Sequence, residues 1–551
     1  MIYMKHMTII SKLFICLVAV FLFQSCKENE NNNIDSSALT LLSYTPEQGG
    51  NISTEGTIEL TFSKAVRQAP DTEITINGKA IRVIITDNVV RAKYSEPLAD
   101  HVTLDIPNGA LTDMNSVQKY EGLNLKYEIK LEKRLFDAVV DKNGKGDYTK
   151  IQDAIDNAPN NSDVPYLIFV ADGVYEEYLN ISASKTFIHL IGQSRENTKV
   201  QYLMNRVKWD GTGEQPVAWP YSSQNPAYQA QTGLTSSQES IVLVKGADFH
   251  AENISFINLY GARADEYGGM GSDGQADAMM TRADRVSFYN CAMVSYQDTW
   301  WVRMNNKPEE INARNYADNC WIEGKTDYVY GNANLLVENS TFYNVGLSGN
   351  VMTAGSHYDG TTWGHIMKDC IVDGLPSANG TTYFARPWQN KPISVWINTT
   401  CKVNLDPAGY MDMSVLPYIY GEYNTVDANG TAVDTSKRKT SFSVNGVLTP
   451  YEKNMVFTES EIADYTYENI IMGADGWDPK SFYTTEELPA VENISIYGTT
   501  LSWDGQNKAI CYLVFEDGEF VGQTTETTME VNANGGDYTV KAVNKYGSLS
   551  D

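Results

Sequence analysis

The sequence predicts an all-β protein: a right-handed parallel β-helix over residues 135 to 482, with a β-sandwich on either side of it. Three observations predict this. In the middle of the chain, short β-rich runs each end in a polar corner, as in AENISFINL, ADRVSFYNCAMV, ARNYADNCWIEG, NLLVENSTFYN and WGHIMKDCIVDG. Their Asn or Asp corners fall at positions 253, 290, 319, 339 and 369, an uneven step within solenoid range, as loops of varying length on a regular rung would give. A propeller is the structural alternative, though its blades would repeat more uniformly. Residues 38 to 131 instead show half-buried, alternating strands between Gly, Asn and Pro turns, and residues 484 to 551 differ in texture again. The full length of 551 residues is also too great for one ordinary domain.

Taken in order, residues 1 to 26 read MIYMKHMTIISKLFICLVAVFLFQSC, with Lys5 and Lys12 ahead of an apolar run from Leu13 to Phe23. That is the layout of a signal peptide and is short for a membrane span. A small residue followed by Cys26 resembles a bacterial lipoprotein signal, which implies export, lipidation of Cys26 and membrane contact through that lipid alone. KENENNNIDSS, residues 27 to 37, has no apolar period and reads as a tether. The next segment carries SYTPEQGG, TIELTFSKAV, ITINGKAIRVII and HVTLDI, and resembles a bacterial Ig-like domain. At the far end, TTLSWDG, CYLVFEDGEFVGQT and GDYTVKAVNKYGSLS resemble a fibronectin type III domain. Neither flank contains a convergent set of ionisable groups, so both are expected to be spacers or docking surfaces.

With 69 acidic against 42 basic residues, the formal net charge of −27 repels a polyphosphate, and nucleic acid binding is not expected. Five cysteines follow the leader, an odd number that argues against a complete disulfide framework. FYNC, ADNC and MKDC repeat one local context, which fits stacked, buried thiols, with a Cys291–Cys320 bridge as the alternative. No CxxC pair is present and the six histidines are scattered, so neither a metal nor a redox site is expected.

The chemistry concentrates in the β-helix region. YQDTWW sets the carboxylate Asp298 beside the amide Gln297, and on a regular strand these two face opposite ways unless the chain turns there. One rung later, IEGKTDYVYGNA brings Asp327, framed by Tyr328 and Tyr330, above or below Asp298. Two close carboxylates resist sharing two charges, so one is pushed towards the acid form while the other stays a nucleophile or base. YFARPWQN adds Arg386, a two-pronged partner for a carboxylate, and Trp388, a platform on which a sugar ring can stack. Upstream, DGQADAMM adds Gln275, and two side-chain amides aimed at one point make an oxyanion hole.

These stretches resemble the pectin methylesterases. VVDKNGKGDYTKIQDAIDNAP, DGVYEEYLNI, GQADAMM, YQDTWW, IEGKTDYVYG and FARPW stand in that family's order across residues 135 to about 482. The resemblance implies Asp327 as nucleophile, Asp298 as general acid and then base, Gln275 and Gln297 as oxyanion donors, Arg386 as the orienter of Asp327 and Trp388 as substrate platform. It further implies methylated homogalacturonan as the partner and neither metal nor organic cofactor; a monomer is expected, though no residue pattern carries that expectation. Further substrate contacts are expected at Trp300, Trp301, Tyr328 and Asp277. Asp277 departs from the family's apolar residue and reads either as a buried corner or as a groove acid that disfavours a de-esterified neighbour. Since two adjacent indoles on a strand cannot both point inward, at least one of Trp300 and Trp301 is expected in the groove. Pectate lyases and polygalacturonases share the β-helix, and a binding-only surface lipoprotein fits the same domain order. The amide, acid and arginine set favours the esterase over both.

Overall fold

The computed structural model describes residues 38–95, 101–114, 118–207, 218–235, 238–305, 307–484 and 487–551. The predicted leader, the Cys26 lipidation site and the tether lie outside the described residues. Among the described residues no helix is long and apolar enough to cross a membrane.

From residue 138 to residue 427 the chain winds through three sheets, which among the described residues hold ten, nine and seven strands. Each strand lies parallel to its counterpart one turn later. Val286–Tyr289 pairs with Arg314–Asp318 in the first sheet, Ala292–Val294 with Trp321–Gly324 in the second, and Trp300–Val302 with Thr326–Gly331 in the third. This is a parallel β-helix, and the propeller alternative fails because the blades of a propeller are antiparallel meanders whereas these three ladders run parallel.

The polar corners turn the chain from the first sheet into the second. Asn253, Asn290, Asn319, Asn339, Asp369, Asn398 and Asn424 all hold φ between 49° and 57°. Asn and Asp tolerate this left-handed region because their short polar side chains bond locally. Those side chains also bond along the axis: Asn290 Nδ2 donates to Asn253 Oδ1 at 2.7 Å, Asn319 Nδ2 to Asn290 Oδ1 at 3.3 Å, and Asn424 Nδ2 to Asn398 Oδ1 at 3.0 Å. The residue after each of the last six corners is small and buried: Cys291, Cys320, Ser340, Cys370, Thr399 and Thr425. There the thiols of Cys320 and Cys370 donate to the carbonyls of Asp318 and Lys368, each at 3.3 Å. All five described cysteines are free and buried, and Cys291 and Cys320 are not bridged.

Large aromatic side chains fill the interior. Phe288 meets Trp300 edge-on at 5.4 Å, and Trp396 is gripped between Phe342 at 4.9 Å and Phe384 at 4.7 Å. Near the start of the coil lies the helix Ile151–Asn157, which buries Ile151, Ala154 and Ile155. Its unpaired first amides, those of Ile151 and Gln152, donate to the carboxylate of Glu177 at 2.9 and 3.0 Å, as a helix start requires.

Residues 495 to 543 form two three-stranded antiparallel sheets. Ile510, Phe515, Phe520 and Val543 from this segment pack against Phe136, Val139, Leu167, Phe169 and Ile191 on the outside of the first β-helix sheet. Phe169 is the centre of the contact, 5.5 Å from Phe136 and 5.3 Å from Phe520. Among the described residues the first 130 positions form separate sheets of four, five and two strands.

Candidate active site

The third sheet positions the chemistry. At the start of its strands, Gln275, Gln297 and Thr326 stack as consecutive rungs through isolated bridges. The next residues, Asp298 and Asp327, adopt φ of 63° and 50°, the same left-handed conformation as the Asn corners. Each acid therefore interrupts the strand alternation. The chain does turn at YQDTWW, so Gln297 and Asp298 both reach one cleft, and the Asp298 amide donates to the Thr326 carbonyl at 3.0 Å.

That cleft, of 670 Å³, is lined by Gln275, Gln297, Asp298, Asp327, Arg386 and Trp388 together with Trp301, Tyr330 and Arg206. Arg386 holds Asp327 with two parallel hydrogen bonds, Nε to Oδ1 at 2.7 Å and Nη2 to Oδ2 at 2.6 Å. Burial pushes the Asp327 carboxyl up, and the Arg386 guanidinium pulls against that rise. Asp298 is held through a single oxygen: Oδ2 accepts from Gln275 Nε2 at 3.0 Å and from Arg206 Nη2 at 2.9 Å. Burial raises Asp298 to about 7; Asp327 adds to the rise, while Arg206 and Gln275 oppose it. The two acids thus have different equipment, one a bidentate cation and the other a carboxyl that can carry a proton near neutrality.

Five predicted substrate contacts divide by direction. Trp301 lines the cleft, stacked on Tyr330 at 5.3 Å, and Trp388 meets Tyr330 edge-on at 5.8 Å. Trp300 does not contact the cleft: its side chain is 0% exposed and its Nε1 donates to Thr281 Oγ1 at 3.3 Å inside the coil. Strand alternation resumes after the Asp298 turn, so Trp300 points in and Trp301 out. Tyr328 is likewise corrected to an interior residue, its hydroxyl donating to Asn344 Oδ1 at 3.2 Å. Of the two readings of Asp277 the structure agrees with the buried one, and the predicted substrate contact is corrected. It lies fully buried behind the cleft wall, where Tyr330 donates to Oδ2 at 3.1 Å and Arg206 Nε stands 3.2 Å from Oδ1.

Arg206 is the residue that sequence reasoning missed. It comes from NRVKWDG, which matches no motif, and the only signal for it was an unexplained acid at Asp277 inside an apolar strand. A buried carboxylate calls for a cation, and the sequence does not say which. Among the described residues no cluster of His, Cys, Asp or Glu is placed to hold a metal ion.

Comparison with known proteins gives consistent matches. The family model for pectinesterase matches residues 137–217 and 221–469. Probable pectinesterase A of Neosartorya fischeri is 29% identical over 307 residues, covering 55% of this chain and 82% of that protein. Probable pectinesterase/pectinesterase inhibitor 20 of Arabidopsis thaliana is 26% identical over 352 residues, covering 61% of this chain and 53% of its own length. The chain therefore spans about half the length of several curated relatives it matches. Among solved structures, a pectin methylesterase from carrot aligns over 61% of this chain and 93% of its own, with 24% identity and a TM-score of 0.47.

Proposed function

Because this chain belongs to the pectinesterase family, we propose that it hydrolyses the methyl esters of galacturonate in pectin, giving methanol and free carboxylates. The observation that carries this reading is the asymmetry of the acid pair: Asp327 is fixed through both oxygens by Arg386, while Asp298, one rung away, carries a carboxyl raised to about 7.

An Asp327 oxygen attacks the ester carbonyl carbon, and the electron pair displaced onto the carbonyl oxygen is met by amide N–H groups of Gln275 and Gln297. Gln275 already donates one N–H to Asp298, which leaves its second for the oxyanion. The carbonyl re-forms as the C–O bond to the methoxy group breaks, and Asp298 gives its proton to that departing oxygen, releasing methanol. What remains is an anhydride between Asp327 and the sugar carboxyl, with Asp298 now ionised. Asp298 takes a proton from a water whose oxygen attacks the sugar acyl carbon; the anhydride opens, Asp327 leaves as carboxylate and Asp298 regains its proton. Trp301 and Trp388 give the sugar rings flat apolar faces on the cleft wall.

The export and lipid anchoring predicted from residues 1 to 26 would put this cleft where polysaccharide is met outside the cytoplasm, and labelling of the intact protein with a radioactive fatty acid tests the anchor. For the activity, methanol release from highly methylated pectin is measured for the full chain beside Asp327→Asn and Asp298→Asn, with unsaturated uronate absorbance followed in the same tubes. Methanol without unsaturated product is expected, falling roughly 10²–10⁴-fold in Asp298→Asn and further in Asp327→Asn. A folded wild-type chain that binds pectin and releases no methanol would sink the assignment.

A further inference from the structure

Asp298 has an arginine on it that the proposed chemistry leaves without a role. Arg206 is 15% exposed at its side chain and faces two carboxylates and two aromatic rings. Nη2 donates to Asp298 Oδ2 at 2.9 Å, Nε lies 3.2 Å from Asp277 Oδ1, and the guanidinium rests 4.7 Å from the Trp301 ring and 5.8 Å from the Tyr330 ring. Tyr330 in turn donates to the other Asp277 oxygen at 3.1 Å. Asp277 itself is fully buried, and among the described residues its ion-pair partner is the far side of the guanidinium that touches Asp298.

A lone buried cation 2.9 Å from a general acid works against that acid, because it favours the ionised form and so withdraws the proton the leaving group needs. The other charges facing Asp298 are committed elsewhere. Arg386 is taken up by Asp327 through both of its forks, and Glu239 by Arg303 at 3.3 Å. Asp327 itself pushes Asp298 towards the protonated form. Burial pushes the Asp277 carboxyl up and the Arg206 guanidinium pulls against that rise, so Asp277, ionised by this pairing, is left as the group that can neutralise Arg206 without moving it.

We propose that Arg206 and Asp277 are paired positioning residues for Asp298: Arg206 fixes the carboxyl by a hydrogen bond, and Asp277 offsets the charge of Arg206 so that Asp298 keeps its proton for the leaving methanol. The role as acid rests on the esterase reading, but the electrostatic pairing does not. Charge at a hydrogen-bonded partner moves a carboxyl by roughly one to three pH units, which sets the size of the effect.

Methanol release is followed against pH for the full chain and for Asp277→Asn, Arg206→Met and the double variant, with thermal melts for each. In parallel, the Asp298 carboxyl is titrated directly by carbon-13 NMR of aspartate-labelled protein, the resonance being assigned by its loss in Asp298→Asn. Asp277→Asn is expected to move both the alkaline limb of kcat/KM and the Asp298 titration to lower pH by about one unit, and Arg206→Met to move both to higher pH. The double variant returns towards wild type. Arg206→Gln, which keeps a donor but loses the charge, gives the same upward movement if the methionine variant does not fold. A pair that only braces the wall would lower melting temperatures and leave the titration where it was, and that outcome overturns the proposal. If the titration moves as stated while the wild type makes no methanol, the pairing stands and the esterase assignment falls.

Discussion

At Asp327 both carboxylate oxygens meet the fork of Arg386, whereas at Asp298 a single oxygen is shared between an amide and a guanidinium. On the proposed mechanism productive encounter needs Asp327 ionised and Asp298 protonated, so kcat/KM should follow a bell against pH. The alkaline limb is expected near pH 7, where Asp298 loses its proton, and the acid limb above the ordinary aspartate range, because burial raises Asp327 as well. A profile flat from pH 5 to pH 9, read on pectin methanol release, would contradict the acid role of Asp298. The types and order of these side chains were legible in YQDTWW, IEGKTDYVYG and FARPW. Their conformation was not, because alternation along a strand cannot foresee that an aspartate sits at positive φ. That is why Trp300 and Tyr328 looked like candidates for the groove when both point into the coil.

From Asn290 onwards each turn of the coil repeats one device, an Asn or Asp at positive φ followed by a small buried residue. At Asn290 the side chain both donates to Asn253 and accepts from Asn319, and the backbone holds φ at 49°. Asn290→Ala removes two bonds and adds left-handed strain, and should cost about 1–3 kcal/mol in urea unfolding. Asn290→Gly should cost less, since glycine accepts that conformation and loses only the ladder. Equal losses would mean that the ladder, not the backbone, sets the corner. The corners from 253 to 369 could be read from the sequence because a polar residue closing an apolar run is visible without structure. Those at Asn398 and Asn424 follow five-residue strands, Ile393–Ile397 and Ile419–Tyr423, but lead into strands of only two residues, so the apolar run after the corner that would complete the repeat is too brief to stand out.

For the molecule as a whole, residues 510 to 543 contribute to a shared apolar cluster with the outside of the first sheet. That the flank docks was not legible, because YLIFV is apolar on both faces and does not tell which face turns outward; in the structure Leu167 and Phe169 face out and Ile168 and Val170 face in. A chain ending at residue 483 would leave Phe136, Leu167, Phe169 and Ile191 uncovered, and it should melt at lower temperature and bind a hydrophobic dye that the full chain does not. An unchanged melt would make the flank an independent spacer. The candidate site and the docked flank use different sheets of the same coil, so the two tests can be made separately.

The five buried thiols give the fold a built-in set of clocks. Cys291, Cys320, Cys370 and Cys401 stand at successive heights along the coil, and Cys511 stands in the docked flank. Burial pushes all of them up, Cys320, Cys370, Cys401 and Cys511 to about 12, so none is an alkylation target until its own turn opens. Brief exposure to an alkylating reagent during unfolding, followed by mass spectrometry, would therefore record the order in which the turns let go, with no probe added to the protein. A stack that unzips from one end would leave a graded series of modified cysteines, and one that opens at once would mark all four together.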